Sequence, residues 1–85
     1  MLCMSARAEG LLFTLRPGTV FSSQPGYAAS DRLDFKPETV VVQGPALEQK
    51  GEFCLYTLLD RKQKPLTPDR VWIPCYSIDQ LFTTP

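Results

Sequence analysis

Three cysteines, Cys3, Cys54 and Cys75, are the strongest candidates for covalent or metal chemistry in an 85-residue chain that has no histidine. Without imidazole, a Ser–His or Cys–His nucleophilic site within one chain is excluded, and so is His-ligated zinc. No two cysteines stand at a C-x₂₋₄-C spacing, which removes the usual metal and thioredoxin-like readings. The count is odd and the positions are scattered, so free thiols are expected, two of them in strands. Activation of Cys54 or Cys75 by a neighbouring Lys or Arg is the remaining route to a nucleophile. Asp31, Asp34 and Glu38 lie close in sequence, but nothing around them is apolar enough to tune a carboxylate, and they read as solvated loop acids and caps. The five glycines stand apart and build no phosphate-binding loop. The expectation is a chain with no catalytic residues, no metal and no cofactor.

Binding is better represented. Arg61-Lys62-Gln63-Lys64-Pro65, with Arg70 beyond it, is the densest basic stretch. Arg61, Lys62, Lys64 and Arg70 are therefore the candidates for an anionic partner, with Tyr56 or Trp72 available for stacking. Asp60 and Asp69 bracket the stretch and weaken its field. The competing reading is a solvated hairpin loop whose charges discourage strand aggregation. Trp72 and Tyr76 fall on one face of an alternating strand, with Tyr56 expected across from them. On an outer face these three form an aromatic patch suited to protein contact. On an inner face they are core.

The elements that must carry these residues read as extended. Leu11–Leu15 and Thr19–Phe21 flank a Pro17-Gly18 turn, most simply a strand, a turn and a second short strand. Residues 22–36 form a long irregular loop, with Tyr27, Leu33 and Phe35 as anchors and a single helical turn starting at Ser30-Asp31 as an option. Glu38–Gln43 is β-branched and fits a strand covered on both faces. Gly44-Pro45 bends or bulges it. Gly51 then links it to a strand over Glu52–Asp60, the clearest hairpin in the chain. Arg70–Tyr76 is the next strand, with Val71, Ile73 and Cys75 on one face. Ser77–Phe82 reads as one helical turn capped by Ser77. Residues 1–10 hold weak helix formers and read as a short, frayed start.

The run Trp72-Ile73-Pro74-Cys75-Tyr76, after a hairpin and before a helical turn, resembles the tail of a Src-homology-type barrel. There an aromatic-aliphatic-proline strand runs into a single 3₁₀ turn. The alanine-leucine-tyrosine opening of that family and its acidic loop are absent, and Tyr76 sits one place early. The resemblance thus implies barrel topology and carries over neither that family's ligand nor its binding residues. Together with the strand count, it gives the expected fold: a single mainly β domain over residues 1–85, a small antiparallel β-barrel or strongly bent sheet of about five strands with a C-terminal helical turn.

Nine basic and nine acidic residues cancel, which argues against broad electrostatic capture of nucleic acid. No apolar run approaches the roughly 20 residues that span a membrane, and no signal-peptide h-region is visible, so a cytoplasmic location is expected. The leading functional expectation is a small non-enzymatic interaction protein, adaptor or inhibitor-like, that binds a protein partner or itself through the aromatic face. The alternatives are a nucleic-acid-binding barrel using the loop at 61–64, and an enzyme whose site forms between subunits.

Overall fold

The residues that most favour extended backbone, Val40-Val41-Val42 and Phe53–Leu59, form the centre of the structure. The computed structural model describes residues 11–82. Their strands are β1 (Leu12–Leu15), β2 (Phe21–Ser22), β3 (Arg32–Leu33), β4 (Val40–Lys50), β5 (Phe53–Asp60), β6 (Pro65–Pro74) and β7 (Ile78–Leu81). All belong to one antiparallel sheet of order β3-β2-β6-β5-β4-β1-β7, curled as a half-barrel. The mainly β expectation holds, with seven strands in place of about five. The helical start expected over residues 1–10 lies outside the described residues.

Residues opposite one another in an antiparallel pair share a face, so the register fixes which side chains meet. Val42 faces Leu58, Tyr56 faces Val71 and Cys54 faces Ile73. These six, with Val40, Leu15 and Phe21, make the main core. The other face of the central strands is also covered: Val41 is as buried as its neighbours, and Leu59, Phe53 and Trp72 are nearly so. A β-branched run without alternation reflects that two-sided burial.

Two proline-bearing segments interrupt the ladders on either side of β5. The β4–β5 register shifts between Gln43 and Glu48, where Gly44-Pro45 lies. The β5–β6 register shifts between Thr57 and Leu59, opposite the part of β6 that holds Pro68. Proline has no N–H to give a ladder, so pairing breaks where it sits and resumes beyond it. At the first interruption Gly44 is close-packed: a Cβ there would stand 3.2 Å from Phe13 Cε2 and 3.6 Å from Tyr56 Cε1. The β4–β5 connection is two residues long, Gly51-Glu52, with Gly51 at φ +59°.

The two strands expected on either side of Pro17-Gly18 are present; β1 pairs with β4 and β7, β2 with β3 and β6. Two expectations are corrected. The helical turn expected over Ser77–Phe82 is absent. Instead Cys75–Ser77 forms a 3₁₀ turn and Ile78–Leu81 pairs with β1, Phe13 opposite Leu81 and Leu15 opposite Ile78. A helix of so few residues would satisfy almost none of its backbone groups, whereas an existing strand edge satisfies them directly. Finally, Cys54 and Cys75 are not free thiols. They form a disulfide with Cα atoms 5.1 Å apart. They are 21 residues apart in sequence, but the pairing of Cys54 with Ile73 brings the end of β6 alongside β5, and the turn that follows completes the approach. That removes both from any nucleophilic role in this state. Cys3 lies outside the described residues.

Candidate functional site

Tyr76 is the most exposed of the aromatic residues singled out by sequence, at 62%, and it sits in the middle of the Cys75–Ser77 turn. Several ties fix that turn. The Cys75 N–H donates to the Glu52 carbonyl at 2.8 Å, and the Arg16 N–H donates to the Ser77 carbonyl at 2.9 Å. The disulfide bonds Cys75 to β5. An exposed ring is thereby presented from a base anchored on three sides.

Facing it is Tyr27, 48% exposed, on the segment between β2 and β3. The Tyr27 and Tyr76 hydroxyls are 3.2 Å apart and hydrogen-bonded. The Tyr27 ring rests edge-on against Phe53, centroids 4.8 Å apart and planes at 67°. Its approach is set just upstream, where Gly26 takes φ +133° and its carbonyl accepts from Ser22 Oγ at 3.2 Å. The third wall is the Pro17-Gly18 turn. Thr19 N–H and Oγ1–H both donate to the Arg16 carbonyl, at 3.2 and 2.6 Å, and Gly18 takes φ +83°. Proline then glycine at the two central positions is the sequence such a turn needs.

Between these walls runs an open groove of about 150 Å³, lined by Arg16, Thr19, Val20, Tyr27, Pro74 and Tyr76 among others. Arg16 Nε donates to the Ile78 carbonyl at 3.3 Å, which fixes its guanidinium at the groove edge. The hydrogen bond between the Tyr27 and Tyr76 hydroxyls is the main reason that the Tyr27 phenol is pushed up to about 12, with desolvation and the charge of Glu52 adding to it. Near neutral pH the Tyr27 phenol is therefore neutral and hydrogen-bonded to the Tyr76 hydroxyl, beside apolar proline and valine surface. A second hollow, lined by Phe21, Arg32, Leu33, Asp34 and Phe35, opens on the far side of the Gly18-Thr19-Val20 ridge.

The aromatic trio expected on one face is divided. Tyr56 is 8% exposed and lies in the main core, where burial pushes its phenol above the ordinary range. Trp72 is 7% exposed and points to the opposite side of the sheet, because Tyr56 pairs with Val71 while Leu55 pairs with Trp72. Tyr76 leaves the strand register altogether at the 3₁₀ turn. Its aromatic neighbour is Tyr27, which sequence identified only as a loop anchor. The two Pro-Gly pairs, Pro17-Gly18 and Pro25-Gly26, were the available signal: each sharply turned loop delivers a groove wall.

The basic residues are not gathered either. Arg61 turns back, its Nε donating to the Glu38 carbonyl at 2.9 Å and its guanidinium 5.5 Å from the Phe82 ring centroid. Lys62 and Lys64 are exposed at the hairpin tip, and their backbone N–H groups donate to Asp60 Oδ1 at 2.8 and 2.9 Å. Gln63 takes φ +68° there. Arg70 is exposed in mid-β6, opposite Thr57. Among the described residues, no group of three His, Cys, Asp or Glu side chains converges to hold a metal ion. No helix among them is long and apolar enough to cross a membrane. No protein-family model matches this chain, nor does any curated protein or solved structure.

Proposed function

We propose that this chain is a non-enzymatic interaction domain, adaptor or inhibitor-like, that docks an extended segment of a partner protein in the groove between Tyr27 and Tyr76. One observation carries the reading: two exposed tyrosines from distant parts of the chain are hydrogen-bonded to each other on an anchored base, beside apolar groove surface. Tyrosine suits this work because it offers a large contact area and a hydrogen-bonding tip at little conformational cost. The proposal keeps Tyr76 from the expected aromatic face, adds Tyr27, and leaves Tyr56 and Trp72 as structural residues. The topology supports a Src-homology-like barrel: β1 pairs with β7, and a 3₁₀ turn precedes β7. A nucleic-acid role for the loop at 61–64 draws less support, since Arg61 is engaged by Glu38 and Phe82. The disulfide favours an oxidising compartment over the cytoplasm, because paired structural cysteines persist there.

The test is selection of a displayed random-peptide library against the oxidised protein, with chemical-shift mapping of the peptides recovered. Peptides that shift Arg16, Tyr27 and Tyr76, and lose about tenfold or more in affinity on Tyr76→Ala, support the reading. Peptides that map elsewhere, or whose affinity ignores Tyr76→Ala, defeat it.

A further inference from the structure

We propose that the Cys54–Cys75 disulfide is a redox gate on the docking groove: oxidised, it holds the Tyr76 turn in place, and a dithiol reductant opens it and releases that turn. The inference rests on the reading of the groove as the docking site. Its basis is where the bond lies. Cys54 follows Phe53, the ring on which Tyr27 rests. Cys75 precedes Tyr76 and opens the 3₁₀ turn. One covalent bond therefore joins the bases of the two aromatic lips.

Among the described residues, the hydrogen bonds that hold the turn to the rest of the chain are the Cys75 N–H bond to the carbonyl of exposed Glu52, the Arg16 N–H bond to the carbonyl of buried Ser77, and the exposed phenol pair. The β5–β6 ladder ends at Phe53 and Pro74, so no strand pairing to β5 continues into the turn. The rest of the core is anchored elsewhere, through Val40, Val42, Leu58 and Val71. Loss of the bond thus falls on the groove before it falls on the sheet. Regions held by few buried contacts open at lower free energy than the core.

The two sulfurs differ in access. Cys54 is buried at 5%, whereas Cys75 is partly exposed. An attacking thiolate of the reductant reaches Cys75 Sγ and forms a mixed disulfide there. The Cys54–Cys75 bond breaks, and its electron pair leaves on Cys54 Sγ, which takes up a proton. The reductant's second thiolate then attacks its own sulfur in the mixed disulfide and expels Cys75 as a thiolate, which is protonated in turn. The reductant ends as a disulfide and the protein as two thiols. Cys54 stays in the core as a small apolar side chain, and Cys75 is free to move with Tyr76.

The experiment is amide hydrogen exchange by NMR on the whole chain, oxidised and then reduced with dithiothreitol. A Cys54→Ala/Cys75→Ala variant serves as a comparison without reductant, and thiol alkylation with mass measurement reports the redox state. On reduction, and in the variant alike, the Arg16 and Cys75 amides should lose their protection and exchange within about tenfold of an open chain. The β4–β5 ladder amides between Val40 and Gln43 should stay protected and accelerate together, only by the factor that the loss of global stability sets. Arg16 and Cys75 amides that keep the protection of the ladder overturn the gate, because the bond then acts only as a staple of the whole sheet. Alkylation of Cys54 and Cys75 in native protein before reduction overturns it as well. Exchange is read without ligand, so failure of the peptide selection defeats the docking reading and leaves this result standing. A Tyr76-dependent peptide that binds oxidised and reduced protein equally defeats the gate alone.

Discussion

Trp72→Ala and Tyr76→Ala differ by four positions in sequence and should differ by several kcal/mol in stability. Trp72 is 7% exposed on the covered outer side of β5 and β6, opposite Leu55 and Ser22. A buried aromatic of this kind removes some 150–250 Å² from water. At about 25 cal/mol per Å² that is roughly 4–6 kcal/mol of transfer free energy, near the top of the ~3–5 kcal/mol measured for truncating buried aromatic residues. A domain of this length holds roughly 4–13 kcal/mol in all, so Trp72→Ala should leave it marginal or unfolded. Tyr76 is 62% exposed, and its hydroxyl bond to Tyr27 is at the surface. Its removal should cost below about 1 kcal/mol. Urea denaturation followed by far-UV circular dichroism compares the pair, since the sole tryptophan cannot be the probe in both. A Trp72→Ala protein that unfolds cooperatively within about 1 kcal/mol of the parent would refute the claim that this face is covered. It would return Trp72 to the candidates for partner contact.

Reduction of the Cys54–Cys75 bond should lower global stability by about 3 kcal/mol from chain entropy alone, given the 21-residue separation, and urea melts with and without dithiothreitol measure it. Gly44→Ala should cost about 1 kcal/mol and Gly44→Val about 2–3, because the new side chain must push back the Phe13 ring; thermal unfolding ranks the two. Asp60→Ala removes the acceptor of the Lys62 and Lys64 N–H groups and should cost about 1 kcal/mol, with faster amide exchange at the β5–β6 tip. The Tyr27 pKa is raised above its unfolded value. Its protonated form therefore contributes stability that is fully present below about pH 10 and lost as pH rises toward about 12. Phenolate absorbance should show Tyr27 titrating well above an ordinary tyrosine, and Tyr76→Phe should bring it down by removing the Tyr76 hydroxyl.

What sequence made legible was local. The β-branched run at Val40–Val42, the Gly51 link and the alternation of Val71 and Ile73 each depend on neighbours in the chain, and each formed the expected element. What it missed was set at a distance. Ile78–Leu81 has a helical pattern of apolar residues, yet the free edge of β1 decides its conformation. The two-residue strands β2 and β3 are too short to show any period, and only β6 gives β2 a partner. Cys54 and Cys75 have no telling spacing, since their meeting depends on the β5–β6 register. The candidate site was half legible for the same reason. Tyr76 stood out as an aromatic beside a strand end, but its partner Tyr27 belongs to a loop whose placement no local pattern gives.

The pairing of β1 with β7 has a consequence for the order of folding. Thr14 Oγ1 reaches the Gln80 carbonyl across 66 residues of chain, whereas β4, β5 and β6 are joined by short hairpins. Contacts that close short loops form first, because long loops lose more entropy before any contact rewards them. The β4–β6 meander should therefore dominate the transition state, and φ-values near zero are expected at Leu15 and Ile78. The Arg16–Ser77 bond that closes one wall of the groove belongs to the late set. Newly made chains would then pass through a stage in which the sheet is built and the tyrosine pair is not, and complete the proposed docking groove only at the last step of folding.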